Sequence, residues 1–300
     1  MQASKKRGFW VGLGIFFLVL LSPNPESLSP IGWAVAAVTL LMAIWWATEA
    51  VPVAVTALLP LALFPLLQVT DFKAAALPYA NPNIYLFMGG FILALGIESS
   101  GLHKRLALKM LILVGNSGAK LVGGFMLVSA VISMWVMNTS TTLMLLPIGL
   151  AVCASVAETI PNFSAKQRKN FETSLLLGIA YAASIGGMST LVGTAPNIIF
   201  AAFMLETYGI EISFIDWMKL GVPIASIMLV ASWYTITKFV YPVNFVASME
   251  TKLQLRNMLT DLGPLGRDEK KVLVIFLFAA GAWMFRTLLD NFVPLSGLTD

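Results

Sequence analysis

Charge is scarce in this 300-residue sequence. Asp, Glu, Lys and Arg make up 11% of it, against roughly a quarter in a soluble domain. With 58% hydrophobic residues and a mean hydropathy of +0.84, too few polar side chains remain to cover a water-facing surface. Cysteine and histidine are nearly missing, with Cys153 and His103 the only ones. One cysteine excludes an internal disulfide framework. An intramembrane hydrolase would need a paired Asp, a Ser–His arrangement or a metal cluster. The apolar runs contain no acidic pair, and His103 sits at a helix end beside Lys104 and Arg105. The polar–apolar alternation of a membrane barrel is also absent. What the chain does have is a series of apolar runs, several long enough to cross a hydrocarbon core of about 30 Å. The fold class expected is an all-α, polytopic integral membrane protein.

Spans are expected at 9–21, 31–48, 51–69, 84–100, 219–241 and 272–289, with two longer runs at 121–157 and 174–205. The N-terminus has a basic start and an apolar stretch but no small-residue cleavage site, and reads as a retained first helix. If it is cytoplasmic, sixteen of the 19 Lys and Arg fall on the cytoplasmic side. Only Lys73, Lys219 and Arg286 fall outside, the asymmetry expected of an oriented membrane protein. The net charge of +4 therefore calls for no nucleic acid. Trp45 and Trp46 read as packing or interfacial residues, Glu49 as a junction between spans, and Asn116-Ser117-Gly118 as a turn. Segment 246–269 reads as an amphipathic cytoplasmic helix ending at Gly263-Pro264.

The charge count holds only if 121–157 starts and ends on the same side. This run has no ionisable residue, is too long for one crossing, and carries the neutral polar cluster Asn138-Thr139-Ser140-Thr141-Thr142 at its middle. A far-surface turn would be charged or rich in Gly and Pro. A re-entrant hairpin with its tip at membrane depth fits better, because irregular backbone is tolerated there only inside protein or beside a wet cavity. The run 174–205 must cross once, yet contains Gly186, Gly187, Gly193 and Pro196 within GGMSTLVGTAPN. Such helix-weakening residues predict a helix broken near its middle, with Ser189, Thr190, Thr194 and Asn197 in the unwound part.

Paired interruptions of this kind are the sequence mark of a transporter binding site. A broken helix offers free N–H groups to an anion and free C=O groups to a cation. Asn and Thr add neutral oxygen ligands. Neither run holds an Asp, Glu or His for a proton relay, so the composition favours sodium as the coupling ion. It also leaves an anionic substrate to be balanced by helix dipoles and co-bound cations.

Three stretches carry a family resemblance: AIWWATEAVPVAVTALLPLALFPLL at 43–67, WVMNTSTTLMLLPI, and NFETSLLLGIAYAASIGGMSTLVGTAPNIIF. Together they resemble the divalent anion:sodium symporter family, which includes the sodium–dicarboxylate cotransporters. The resemblance implies sodium ligands at Ser133, Met137, Asn138 and Gly193, and substrate contacts from Asn138, Thr139 and Thr194. It further implies sodium-coupled uptake of a small dianion (succinate, malate or fumarate), an elevator-type motion, a homodimer, and the cytoplasmic (inner) membrane. No cofactor other than the sodium ion is implied. Two positions depart from the family pattern: Met137 stands where the family has Ser, and Ala195 replaces the first Pro of the loop.

Family members contain two inverted repeats, whereas this chain is expected to supply one and the opening of a second, as the N-terminal part of a longer transporter or as a half that needs a partner. The organisation expected is 1–110 for scaffold helices and 111–210 for the hairpin and broken helix. A membrane helix and the amphipathic helix follow at 211–271, then the start of a second repeat at 272–300. The competing readings are an exchanger of dianions, a sulfate or tricarboxylate transporter of the same fold, and a membrane scaffold that transports nothing.

Overall fold

Helices fill this structure because almost every apolar run lacks β-alternation, and its breaks fall where Pro, Gly or a capping side chain intervenes. The structure, a computed structural model, describes residues 3–80, 82–113, 117–160, 163–246 and 249–292. Asn116 and the tail 293–300 lie outside the described residues. Among those described there is no strand, only an isolated bridge between Ser117 and Val246.

The chain divides into two compact units, Met1–Ile84 and Tyr85–Asp300. In the first, α1 (Ala3–Leu21) and α2 (Pro30–Thr48) lie antiparallel. Ser29 caps α2 through its side chain. Trp33 Nε1 donates to the Val19 carbonyl at 2.8 Å near one end of the pair, and Lys5 meets Glu49 at 3.0 Å at the other. Phe9 stacks on the buried Trp45 between them, ring centres 5.0 Å apart. The single span expected at 51–69 is not one helix. Two short pieces replace it, α3 (Val53–Ala57) and α4 (Leu59–Leu66). Pro60, at the start of α4, has no N–H to continue the ladder from α3, and Pro65 interrupts α4 again. A further short helix, α5 (Phe72–Ala76), is capped by Asp71.

The helix α6 runs from Pro82 to Ser99. The second unit continues with α7 (Leu102–Leu113), α8 (Gly118–Ser133), α9 (Asn138–Thr159), α10 (Ala165–Gly187) and α11 (Ala195–Tyr208). It ends with α12 (Phe214–Tyr234), which runs into a π-helical turn (Thr235–Val240), then α13 (Met249–Asp261) and α14 (Arg267–Phe292). Ser117, Ser164 and Ser213 cap α8, α10 and α12. Lipid tails supply no hydrophobic drive between helices, so close packing and interhelical hydrogen bonds must hold them. The α8–α10 pair shows both: Gly178, Ala182 and Ala183 of α10 are buried, and Ser129 Oγ donates to the Ile179 carbonyl at 2.8 Å. Phe125, Phe171, Leu175 and Leu145 complete that core.

The outside of the molecule is apolar in turn. Leu220, Ile227 and Val230 on α12, and Val274 and Phe278 on α14, are all more than 60% exposed. An unbroken greasy surface of this kind requires an apolar solvent. By length and composition, Pro30–Thr48, Asn138–Thr159 and Phe214–Val240 are each able to cross a bilayer.

Near α7, charge is handled differently. His103, expected at an interface, is buried, with Nδ1 3.0 Å from the Ile97 carbonyl. Arg105, counted among the cations of the cytoplasmic side, is 7% exposed. It pairs bidentately with Glu269 at 2.7 and 3.1 Å and donates to the carbonyls of Leu262, Gly263 and Pro264. One guanidinium thus ties α7 to the bend between α13 and α14, where Gly263 takes a φ of +65°. Glu269 also accepts from the Gly266 N–H at 2.7 Å, and its bond to Arg105 holds its carboxyl below the ordinary range.

Removing one partner of a buried pair strands the other, at about 3–5 kcal/mol. Arg105→Ala should therefore lower the melting temperature of the detergent-purified protein far more than Lys271→Ala, whose partner is exposed. A depressed carboxyl contributes stability above its unfolded value, about 4.3, and loses it as pH falls through the folded one. The melting-temperature gap between parent and Glu269→Gln should accordingly close in acid.

Candidate functional site

The hairpin turn starts where α8 ends. Met134 to Met137 leave the helical path, Met137 takes an extended ψ of 141°, and Asn138 opens α9. The fully buried Ser133 donates its hydroxyl to Asn138 Oδ1 at 2.7 Å, which fixes the amide across the turn. Thr142 turns its hydroxyl back to the Asn138 carbonyl at 2.8 Å, and Thr141 is buried beneath the turn. Thr139 is exposed and its hydroxyl has no bond among the described residues. The Met137 side chain is 45% exposed, and its carbonyl accepts the Thr141 N–H at 2.9 Å.

The second element breaks as its glycines dictate. Helix α10 stops at Gly187, residues 188–194 form turns, and Thr194 is extended before Pro196 helps to start α11. A methyl group on Gly187 would overlap Asn138 Oδ1, and one on Gly193 would overlap the Gly187 carbonyl. Glycine at 187 lets the turn and the break touch, and glycine at 193 lets the break close on itself. Asn197, 6% exposed, donates to the carbonyls of Gly187 at 2.9 Å and Thr190 at 2.7 Å. The buried Thr190 hydroxyl donates to the Met134 carbonyl in the hairpin turn. Outside this knot, Trp217 Nε1 donates to the Met188 carbonyl at 2.9 Å. Trp135 stacks on Phe214, ring centres 5.8 Å apart, which in turn stacks on Trp283.

Asn138 and Gly193 thus meet at Gly187, Ser133 joins them through its bond to Asn138, and Met137 adjoins them through the backbone. Thr139 and Thr194 flank the cluster, exposed and half-buried, with no side-chain bond joining them to it among the described residues. Gly187, Thr190 and Asn197 were missing from the sequence-derived set. Their polar or glycine character in the broken run was visible, but nothing in one sequence pairs them across space.

Neither α9 nor α11 begins with a side-chain cap, although Thr194 is a capable one. By contrast, Ser or Asp caps α2, α5, α8, α10 and α12, although the short α3 and α4 also start uncapped. The start of α9 is thus left with free N–H groups, whereas α11 keeps fewer, because Pro196 has none and the Asn197 N–H bonds the Thr194 carbonyl at 3.2 Å; both keep the positive end of their dipoles. Hydroxyl, amide and carbonyl oxygens lie beside them. Among the described residues no cluster of three or more His, Cys, Asp or Glu could hold a metal ion. Any cation held here would be held by neutral oxygens, as suits a hard, weakly charged ion.

The pattern of the sodium:sulfate symporter transmembrane region matches residues 5–297. A sodium-dependent dicarboxylate transporter, SdcS, of Staphylococcus saprophyticus is 38% identical over 287 residues, which cover 94% of this chain and 54% of that protein. Its namesake in Staphylococcus aureus (strain USA300) is 37% identical over 303 residues, covering all of this chain and 58% of that one. The chain therefore spans little more than half the length of these relatives. The match over nearly every residue, together with the similarity to both transporters, shows that this chain belongs to the sodium:sulfate symporter family.

Proposed function

We propose that this chain carries one half-site of a secondary active transporter that couples sodium entry to uptake of a small dicarboxylate such as succinate, malate or fumarate. The observation that carries the reading is the seating of Asn138 Oδ1 on Gly187, which brings a hairpin turn and a helix break to one point. From Glu172, near the charged start of α10, to Gly187 the helix rises about 22 Å. That is less than the roughly 30 Å of the hydrocarbon core, which supports a break at membrane depth, whereas α9 is itself long enough to cross.

Sodium is held by the Ser133 hydroxyl, the Asn138 amide oxygen and the carbonyls of Met137 and Gly193. The Ser-to-Met departure at 137 spares a carbonyl ligand, because that oxygen spends one lone pair on Thr141 and keeps the other. The substrate carboxylate meets Asn138, Thr139 and Thr194 at the uncapped starts of α9 and α11. Sodium binds first and lowers the cost of bringing a dianion into a site without Arg or Lys. The names of the two staphylococcal relatives support dicarboxylate as substrate, and the family description makes sulfate the competitor to test.

In this reading the hairpin and broken helix, within 111–210, move as an elevator against scaffold helices within 1–110. Residues 211–271 link them to a second repeat opening at 272–300. The protein is a homodimer in the cytoplasmic membrane with its N-terminus inside, an orientation supported by the distribution of Lys and Arg.

The test is radiolabelled succinate uptake by the full-length protein in proteoliposomes. Replacing external sodium with choline should cut uptake at least about tenfold, a coupling of roughly 1.4 kcal/mol or more; undiminished uptake refutes sodium coupling. Sodium-dependent uptake of radiolabelled sulfate with none of succinate would make sulfate the substrate class.

Asn138→Ala should abolish uptake while leaving the detergent melting curve near that of the parent in the absence of sodium. Ser133→Ala should raise the half-saturating sodium concentration about fivefold, the equivalent of one ordinary hydrogen bond. Parental values in both variants would remove the turn from the site.

A further inference from the structure

The hairpin turn and the helix break are held by more than shape, and one buried hydroxyl makes the connection. Thr190 is wholly buried, and its Oγ1 has one proton and two lone pairs to use. The proton goes to the Met134 carbonyl, in the turn immediately after Ser133 and four residues before Asn138. A lone pair accepts the Gly193 N–H at 3.1 Å. The backbone carbonyl of the same residue takes Asn197 Nδ2 at 2.7 Å, while Asn197 also reaches the Gly187 carbonyl at 2.9 Å. Because both acceptors are carbonyls, the Asn197 amide has only one workable orientation.

We propose that Thr190 is a positioning residue: its hydroxyl sets the separation between the Asn138 turn and the Gly187–Gly193 break, and so tunes affinity for sodium. The inference rests on the sodium-coupled reading above. An ion shared between two chain segments binds only as well as their oxygens are spaced, since ligands must converge within tenths of an ångström. Thr190 itself faces protein on every side, so it acts through Met134 and Gly193 and touches neither ion nor substrate.

Valine is close in shape to threonine and lacks only the hydroxyl. Gly193 N–H would still have the Thr190 backbone carbonyl, 3.4 Å away. Thr190→Val therefore cuts chiefly the link to Met134. It should raise the sodium concentration for half-maximal succinate uptake about fivefold. The maximal rate at saturating sodium and the succinate KM measured there should stay near parental, while the melting temperature without sodium falls modestly, because the Met134 carbonyl loses its partner. Thr190→Ser, which keeps the proton, should restore the parental sodium response. If the valine variant does not fold, Thr190→Ala removes the same hydroxyl with less demand on shape.

The experiment is uptake by the full-length protein in proteoliposomes across a sodium series, for the parent and each variant. An unchanged half-saturating sodium concentration in Thr190→Val, or in the alanine variant standing in for it, overturns the proposal. So does a serine variant as impaired as the valine one, or a loss confined to maximal rate. A parent whose uptake is indifferent to sodium overturns the sodium-coupled reading and this inference with it. A sodium-dependent parent with an unaltered valine variant overturns the inference alone.

Discussion

Backbone that leaves the helix where water is excluded must find a partner for each polar group it frees. The second unit is arranged around that requirement. Two interruptions, 134–137 and 188–194, release carbonyls and N–H groups that no helix can satisfy, and side chains from several elements are spent on them. Thr190 serves Met134, Asn197 serves Gly187 and Thr190, and Trp217 of α12 serves Met188. Each interruption is therefore stabilised by residues belonging to the other or to a third helix. The N–H groups left unserved lie chiefly at the uncapped start of α9.

Much of this was legible in the sequence, for a specific reason. A run of 37 residues without charge cannot be one crossing, and its single polar cluster marked the turn at Asn138, where α9 begins. Gly187 and Pro196 bracketed the second interruption just as clearly. The periodic signal failed where prolines cut a run that stayed apolar throughout, which is why 51–69 read as one helix instead of α3 and α4. Helix α7 was not among the expected spans because Lys104, Arg105 and Lys109 interrupt its apolar run, and the burial of Arg105 against Glu269 left no trace there. Pairings distant in sequence, such as Thr190 with Met134 or Arg105 with Glu269, leave no periodic trace. Only the folded chain reveals them.

The two ways of burying polarity differ in kind. At the Arg105 joint, opposite full charges are desolvated together, a costly pairing that fixes the α13–α14 bend to α7. At the turn and break, only dipoles are buried and no formal charge is committed in advance. A permanent carboxylate there would hold a cation in every state. Neutral oxygens hold one weakly enough to release it, which a carrier needs and a structural brace does not.

The contact between Gly187 and Asn138 has an evolutionary corollary. Because a side chain at 187 would overlap the Asn138 amide, position 187 is closed to larger residues for as long as that amide stays in place. Thr139 and Thr194 stand outside that collision, and a substitution at either leaves the contact untouched. Under the proposed reading, descendants of this scaffold are free to change the guest they accept while inheriting the cation cradle unaltered.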